Sequence, residues 1–288
     1  MNVTEYLQTW SASYKADMLD NIMPFWLKHG LDRRNGGIYT CLNRDGSLID
    51  TTKSVWFQGR FAFTCSYAYN HIEQNLDWLA AAKSTLDFIE HHCFDSDGRM
   101  FFEVTASGEP IRKRRYVFSE TFAAIAMAEY AIASGERAYA EKALNLFKDI
   151  QRFLRTPGIL EPKYCETVHT KGHSIVMILI NTASRIRAAI ADPILDQQID
   201  DSIALLKKDF MHPEFKALLE TVGTNGEFID TINGRIINPG HCIETSWFIL
   251  EEAKYRNWDK QLTDMALTIL DWSWEWGWDK EHGGIINF

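Results

Sequence analysis

The sequence predicts an all-α protein in which helical hairpins stack side by side around a common core. Three features carry that prediction. Segments with apolar residues at helical spacing come in pairs along the chain, short Gly-containing interruptions separate the pairs about every 60 residues, and no stretch has the composition of a linker. The interruptions are Gly36-Gly37-Ile38-Tyr39, Gly98-Arg99-Met100-Phe101, Gly158-Ile159-Leu160, Phe215-Lys216-Ala217-Leu218 and Gly283-Gly284-Ile285-Ile286. The outermost copies match best, HGLDRRNGGIYT against WGWDKEHGGIIN. A lone hairpin cannot bury its apolar face, so neighbouring repeats must share a core. An open solenoid has the same local signature. Closure into a toroid is the expectation, because a ring of inward-facing helices would gather Arg60, His173 and His241 from distant repeats around one centre.

The elements follow in order. Residues 3–28 read as a first helix, kinked or interrupted near Pro24, where the ring removes a backbone donor. HGLDRRNGGIYTCLNRDG has the turn glycines and short apolar run of a hairpin. Residues 55–70 and 77–91 form the next helices, closed by the strand-like CFDSDGRMFFEV. Residues 119–133 and 137–154 precede RTPGILEP, and residues 172–190 and 193–209 precede HPEFKALLETV. A last pair, 239–254 and 260–276, leads into GWDKEHGGIINF. One domain over residues 1–288 is expected. The motif that elsewhere precedes a further helical pair stands at the end, so a closed ring is expected to be truncated at its C-terminal side by about three helices.

Composition excludes several classes. The 288 residues are 46% apolar and include ten Trp, ten Tyr and seventeen Phe, enough for a large core. No run approaches the roughly 18 apolar residues of a membrane helix. The start, MNVTEYLQTW, lacks the basic end and apolar middle of a signal peptide, which points to the cytoplasm and away from a membrane. The five cysteines, Cys41, Cys65, Cys93, Cys165 and Cys242, are scattered without a CxxC pair, so reduced thiols are expected. A net charge of −9 argues against a nucleic-acid partner. The basic run RKRR at 112–115 reads as a solvated loop, with contact to an anionic effector as the lesser alternative. No HxxxH, HExxH or Cys/His spacing marks a metal site, and no GxxxxGK[ST] loop marks ATP hydrolysis.

The stretch richest in chemistry is GRIINPGHCIE at 234–244, a turn running through Asn238, Pro239 and Gly240 into a helix that carries His241 and Glu244. Proline suits a first helical turn, and the unpaired N–H groups there disfavour an imidazolium, which helps keep His241 a neutral base. Glu244, three residues on, shares its helical face and is expected to orient the ring. A cap-region histidine and a solvated first-turn acid are the ordinary alternatives. Trp272, Trp274, Trp276 and Trp278 alternate at a spacing that splays them around a helix; core packing is their ordinary use and stacking on a sugar the other.

With WFQGR (56–60), SET (119–121), KGHSIVMILIN (171–181), GRIINPGHCIE (234–244) and WGWDKEHGGI (276–285), the sequence resembles the N-acylglucosamine 2-epimerase family over essentially its whole length and in the right order. NPGHxxE is the most specific piece. The resemblance implies an (α/α)6 barrel and interconversion of N-acetylglucosamine with N-acetylmannosamine by inversion at C2. It implies no required cofactor, a nucleotide such as ATP acting at most as a non-consumed activator, and a homodimer.

Inverting a carbon beside a carbonyl needs a proton removed from one face and returned to the other, with donors on the developing oxyanion. The resemblance gives His241 one acid/base role, Glu244 the support of that histidine, and Arg60 the charge near the C1 oxygen. It places Trp56, Glu120, His173 and Met177 at the sugar site. Arg60, set in the aromatic VWFQGRFAF, is expected on an otherwise buried face, where it must be paired or functional; Glu120 is the candidate ion-pair partner. Related epimerases and isomerases of non-acylated sugars carry a histidine near the Met177 position, so Met177 leans towards an N-acylated substrate. The ordinary readings of His173 and Met177 are a helix-start polar residue and a core residue. The family's second catalytic histidine is expected beyond residue 288.

Three rivals remain. An aldose–ketose isomerase would share the first deprotonation and return the proton at C1. A glycoside hydrolase would need two carboxylates, for which Glu244 with Glu120 or Asp230 could serve. A protein-binding relative would need no catalysis.

Overall fold

The computed structural model describes residues 2–161 and 167–287. Cys165 lies outside the described residues, and the other four cysteines are free thiols. The chain divides into two compact units, Met1–Leu160 and Glu161–Phe288.

The first unit begins with α1 (Val3–Asp17), capped by Asn2 in a reciprocal bond with Glu5. The helical path runs on through Met18–Ile22, α2 (Met23–Phe25) and Trp26–Gly30, with wide π-type turns on either side of Pro24. The expected interruption is therefore a widening of the helix and not a break: π turns reroute the bonds that a proline displaces. Two short strands, β1 (Cys41–Leu42) and β2 (Leu48–Asp50), pair with each other, and β3 (Lys53–Ser54) leads into α3 (Val55–His71) and α4 (Leu76–His92). Then β4 (Phe101–Val104) and β5 (Pro110–Lys113) join β3 in one antiparallel sheet ahead of α5 (Phe118–Ser134) and α6 (Arg137–Arg155).

Burial separates inner from outer helices. Every residue of α5 from Ser119 to Ala131 is buried, as its almost uninterrupted apolar and small residues require. In α6 the buried set Tyr139, Ala140, Ala143, Leu144, Phe147 and Ile150 recurs at helical spacing, and the other face is charged. Gly135, at φ 75°, closes α5 in the left-handed conformation that a tight helix–helix turn needs. Helix α3 packs on both α4 and α5. A Cβ on Gly59 would stand 2.7 Å from the backbone carbonyl carbon of Phe122, so the glycine of WFQGR is what allows α3 and α5 this close.

The second unit holds β6 (Thr170–Gly172), α7 (His173–Ala189), α8 (Pro193–Leu205) with a π turn Leu206–Phe210, β7 (Met211–His212), β8 (Ala217–Leu218), β9 (Thr221–Gly223), α9 (Pro239–Tyr255) and α10 (Lys260–Gly277). Helix α7 packs on α8 and α9, and α9 packs on α10. Strand β6 pairs with β9, and β7 with β8. These helices match the predicted spans to within a residue or two, apart from the π turn at the end of α8.

The repeat is visible atom by atom. Asp32 N–H donates to Gly37 O, Gly36 N–H donates to Asp32 O, and Leu31 bridges Ile38. In the last copy Asp279, Gly284, Gly283, Trp278 and Ile285 make the same set. The fourth copy has no glycine; Lys216 takes the left-handed turn at φ 48°. Side chains of the next helix pin these turns. The amide of Gln58 bonds both N–H and C=O of Ile38 at 2.8 Å, and the Glu120 carboxylate accepts from Met100 N–H at 3.0 Å.

The first turn is also braced by a fully buried ion pair, Lys53 Nζ to Asp32 Oδ2 at 2.8 Å. Lys53 donates further to Gly36 O and Ala106 O and lies 4.1 Å from the centroid of the Phe88 ring. Burial alone would push the Asp32 carboxyl up, but Lys53, Asn35 and the backbone N–H groups of Asn35 and Arg34 more than offset it and hold it at about 2. Burial pushes the Lys53 ammonium down despite the pair. Lys53→Met strands the carboxylate and is expected to lower unfolding free energy by about 3–5 kcal/mol. Asp32's contribution is complete above its unfolded pKa near 3.8 and lost as pH falls through about 2. Denaturant unfolding of the parent chain and Lys53→Met across that acid range checks both: the parent should lose stability between these values, and the variant should lose less.

Candidate active site

The site grows from the register of one small sheet. Gly172 faces Thr221 in the β6–β9 ladder, so the next opposed pair is His173, the first residue of α7, and Glu220. His173 N–H donates to Glu220 O at 3.0 Å, and Glu220 N–H donates to Ile236 O at 3.1 Å, which ties Glu220 to the approaches of both α7 and α9. Asn238 caps α9 by accepting from His241 N–H, with Pro239 in the first turn. The two helix starts thus present His173 and His241 to one carboxylate. His241 Nδ1 lies 3.0 Å from Glu220 Oε2, His173 Nδ1 lies 3.5 Å from the same oxygen, and the two rings are 6.3 Å apart.

Burial assigns these groups different tasks. The His173 side chain is fully enclosed, that of Glu220 is 20% exposed and that of His241 is 35% exposed. Of the two imidazoles, only His241 can meet a substrate from solvent. With Nδ1 committed to Glu220, Nε2 is the ring nitrogen left for another partner. Burial alone would push the Glu220 carboxyl up, but the imidazoles of His173 and His241 more than offset it and hold it at about 2. The hydrogen bond to Glu220 in turn pushes His241 up, against desolvation and with smaller help from the charges of Glu220 and Glu244.

Several sequence expectations change here. Glu244 does not hold the His241 ring; Glu220, 21 residues upstream in the bend just before β9, does, and Glu244 adds its charge. The helix start was expected to keep His241 neutral by its field, yet a direct hydrogen bond to an anion outweighs that field and makes the ring more basic. Glu120 is fully buried and accepts from Arg99 Nε at 2.6 Å as well as from Met100 N–H, so it is a brace of the hairpin and Arg99, not Arg60, is its partner. Arg60 is exposed and not on a buried face: its guanidinium lies 4.3 Å from the centroid of the Phe122 ring and borders an open apolar cavity of about 380 Å³ with Met23, Trp26, Phe57 and Phe61. Trp56, half-buried, packs against Phe102, Phe118 and Phe122 in the same unit. Met177, one turn after His173, is buried.

Glu220 is the functional residue that sequence reasoning missed. Its signal was an acid closing the apolar run ALLE, in which Ala217, Leu218 and Leu219 are all buried. Trp276 is half-exposed and donates to the backbone carbonyls of Phe215 and Lys216, while Trp274 stacks on Trp278; the tryptophan series tethers the fourth and fifth turns. In the basic run, Arg112 and Arg114 cover Phe102, and Lys113 pairs with Asp95 and Asp97.

The profile of the family described as N-acylglucosamine 2-epimerase (GlcNAc 2-epimerase) matches residues 37–288. The N-acylglucosamine 2-epimerase of Rattus norvegicus is 29% identical, over 99% of this chain and 69% of its own length. Among solved structures, the cellobiose 2-epimerase of Bacillus thermoamylovorans B4167 superposes with a TM-score of 0.83 at 21% identity, covering 95% of this chain and 74% of its own. A D-mannose isomerase superposes with a TM-score of 0.79 at 15% identity, covering 96% and 73%. The fold is thus the all-α, (α/α)6-barrel class. Taken with the His–Glu arrangement at the helix starts, the match over most of the sequence makes this chain a member of the N-acylglucosamine 2-epimerase family, an isomerase of the sugar 2-epimerase type.

Proposed function

We propose that the protein interconverts N-acetylglucosamine and N-acetylmannosamine, with His241 as an acid/base at C2. The observation that carries this reading is the partly exposed His241 ring whose Nδ1 is held by an ionised, largely buried Glu220. In the open-chain sugar, His241 Nε2 takes the C2 proton, the C–H electron pair forms the C1–C2 double bond of an enolate, and negative charge moves to the C1 oxygen. Protonation of C2 from the opposite face by a second acid gives the epimer. Glu220 offsets the imidazolium as it forms. The family resemblance assigns Arg60 to the C1 oxyanion. Trp56 and Met177 are assigned to the sugar site. The N-acyl preference is supported by the rat relative and by Met177 at the position where non-acyl relatives are expected to carry histidine.

Within this reading no cofactor is consumed or required, a nucleotide serves at most as an activator, and the working form is a homodimer, all on family resemblance; the cytoplasm is its proposed location. Among the described residues no helix is long and apolar enough to cross a membrane. An aldose–ketose isomerase is the second reading, favoured by the similarity to D-mannose isomerase.

Parallel incubations with N-acetylmannosamine and with D-mannose in deuterated water decide between the two. Epimerisation places deuterium at C2 of N-acetylglucosamine, whereas a ketose formed from D-mannose, with no exchange in N-acetylmannosamine, would replace the first reading with the second. His241→Asn is expected to lower C2 exchange by about 10²–10⁴-fold; unchanged exchange removes His241 from the mechanism.

A second comparison separates the two candidate supporting acids. Glu220→Gln keeps the shape but loses the anion, and should cut kcat by roughly 10²-fold or more with little change in KM. Glu244→Gln, which removes a charge but no hydrogen bond to the ring, should cost much less, and the reverse order would return the supporting role to Glu244.

A further inference from the structure

We infer that His173, Glu220 and His241 form a site for one divalent transition-metal ion of the zinc type, and that filling it switches the base off. Their donor atoms all lie within 4.8 Å of one another, with His241 Nδ1 and His173 Nδ1 at 3.0 Å and 3.5 Å from the Glu220 oxygen. Zinc bonds of about 2.0–2.1 Å in a tetrahedral arrangement set neighbouring donors roughly 3.4 Å apart, so small side-chain shifts complete the set. Two imidazoles and one carboxylate match a zinc site that keeps its fourth position open, and imidazole donors disfavour magnesium and calcium.

A proton count supplies the second line of argument. Thr245 has one hydroxyl proton, which it donates to His241 O at 2.8 Å. Its oxygen also lies 2.7 Å from His173 Nε2, so that nitrogen must carry the hydrogen of this contact. In the neutral ring, His173 Nδ1 then presents a lone pair. It is buried, has no hydrogen-bond partner, and faces an anion across 3.5 Å. Two facing electron pairs need a cation between them, either a proton or a metal ion. A metal-binding histidine is oriented by donating its other ring N–H to an acceptor, and here Thr245 Oγ1 takes that place.

Metal binding stands on this geometry alone; inhibition rests on His241 being the base, as proposed above. A metal ion at Nδ1 replaces the Nδ1 proton, takes up the Glu220 charge and lowers the basicity of Nε2. Occupancy should rise with pH, since protons compete for the same nitrogens.

The test uses the whole chain, stripped with EDTA and dialysed, then titrated with zinc chloride by calorimetry near neutral pH. One ion per chain is expected, and crystals soaked in zinc should show an anomalous peak among the three side chains. Thr245→Val keeps all three donors and should weaken binding about 10–100-fold through loss of the His173 tether. His173→Gln should weaken it at least as much, whereas His212→Gln, on a separate His–Glu contact, should not. Unfolding curves in EDTA check that the variants fold. No stoichiometric binding, binding unchanged in both site variants, or a peak at Cys41 instead would overturn the site. Zinc should also abolish C2 exchange and EDTA restore it. Exchange that continues with zinc seated at the triad refutes the switch and the base role of His241, while calorimetry and the anomalous peak still decide the metal site.

Discussion

The arrangement depends on keeping the Glu220 carboxylate ionised in a place mostly closed to water. An isolated anion there would be costly. Three features offset that cost: the starts of α7 and α9 converge on its backbone, the field of each helix start favours negative charge, and two imidazole nitrogens face one of its oxygens. Remove the anion and His241 loses both its orientation and its raised basicity. Remove the pairing of β6 with β9 and Glu220 loses its place beside His173. A four-residue accident of register, Gly172 opposite Thr221, therefore sets the chemistry of a whole unit.

The repeat explains why this site sits where it does. In the first two copies a polar side chain in the first turn or so of the following helix is spent on holding the hairpin: Gln58 holds Ile38, and Glu120 holds Met100. Both pairs are 20 residues apart, so they are the same interaction written twice. In the fourth copy the equivalent bond to Leu218 O comes from the Cys242 thiol at 3.4 Å. A weak donor does the bracing there, and the neighbouring His241 is released for other use. At these three turns the next helix supplies the brace, and the candidate site lies where the brace is made from the weakest donor.

Helix pairs and repeat are legible in the sequence because they are local: periodicity, turn glycines and caps act within a few residues. Even the GG turns at the two ends, read as best matched, share one hydrogen-bond pattern. His241 is legible too, through its cap and its NPGH context. Glu220 is not, because its meaning comes from a strand register between segments 48 residues apart, and HPEFKALLETV carries no glycine to align it with its repeats. The misplacements of Glu120 and Arg60 have the same source. Spacing shows which helical face a residue shares, but not whether Arg99 reaches that face first, nor whether the face is covered.

Two opposing fields act on His241, and their balance bears on what it can do. The start of α9 should make the ring less basic, and Glu220 makes it more so; at 3.0 Å the hydrogen bond prevails. A carbon acid beside a carbonyl is weak, so the base that removes its proton gains from added basicity as long as it is not fully protonated at working pH. With Nδ1 committed to Glu220 at 3.0 Å, the His241 ring is more basic than an ordinary imidazole, and in the proposed reaction that added basicity serves the nitrogen left open to a substrate.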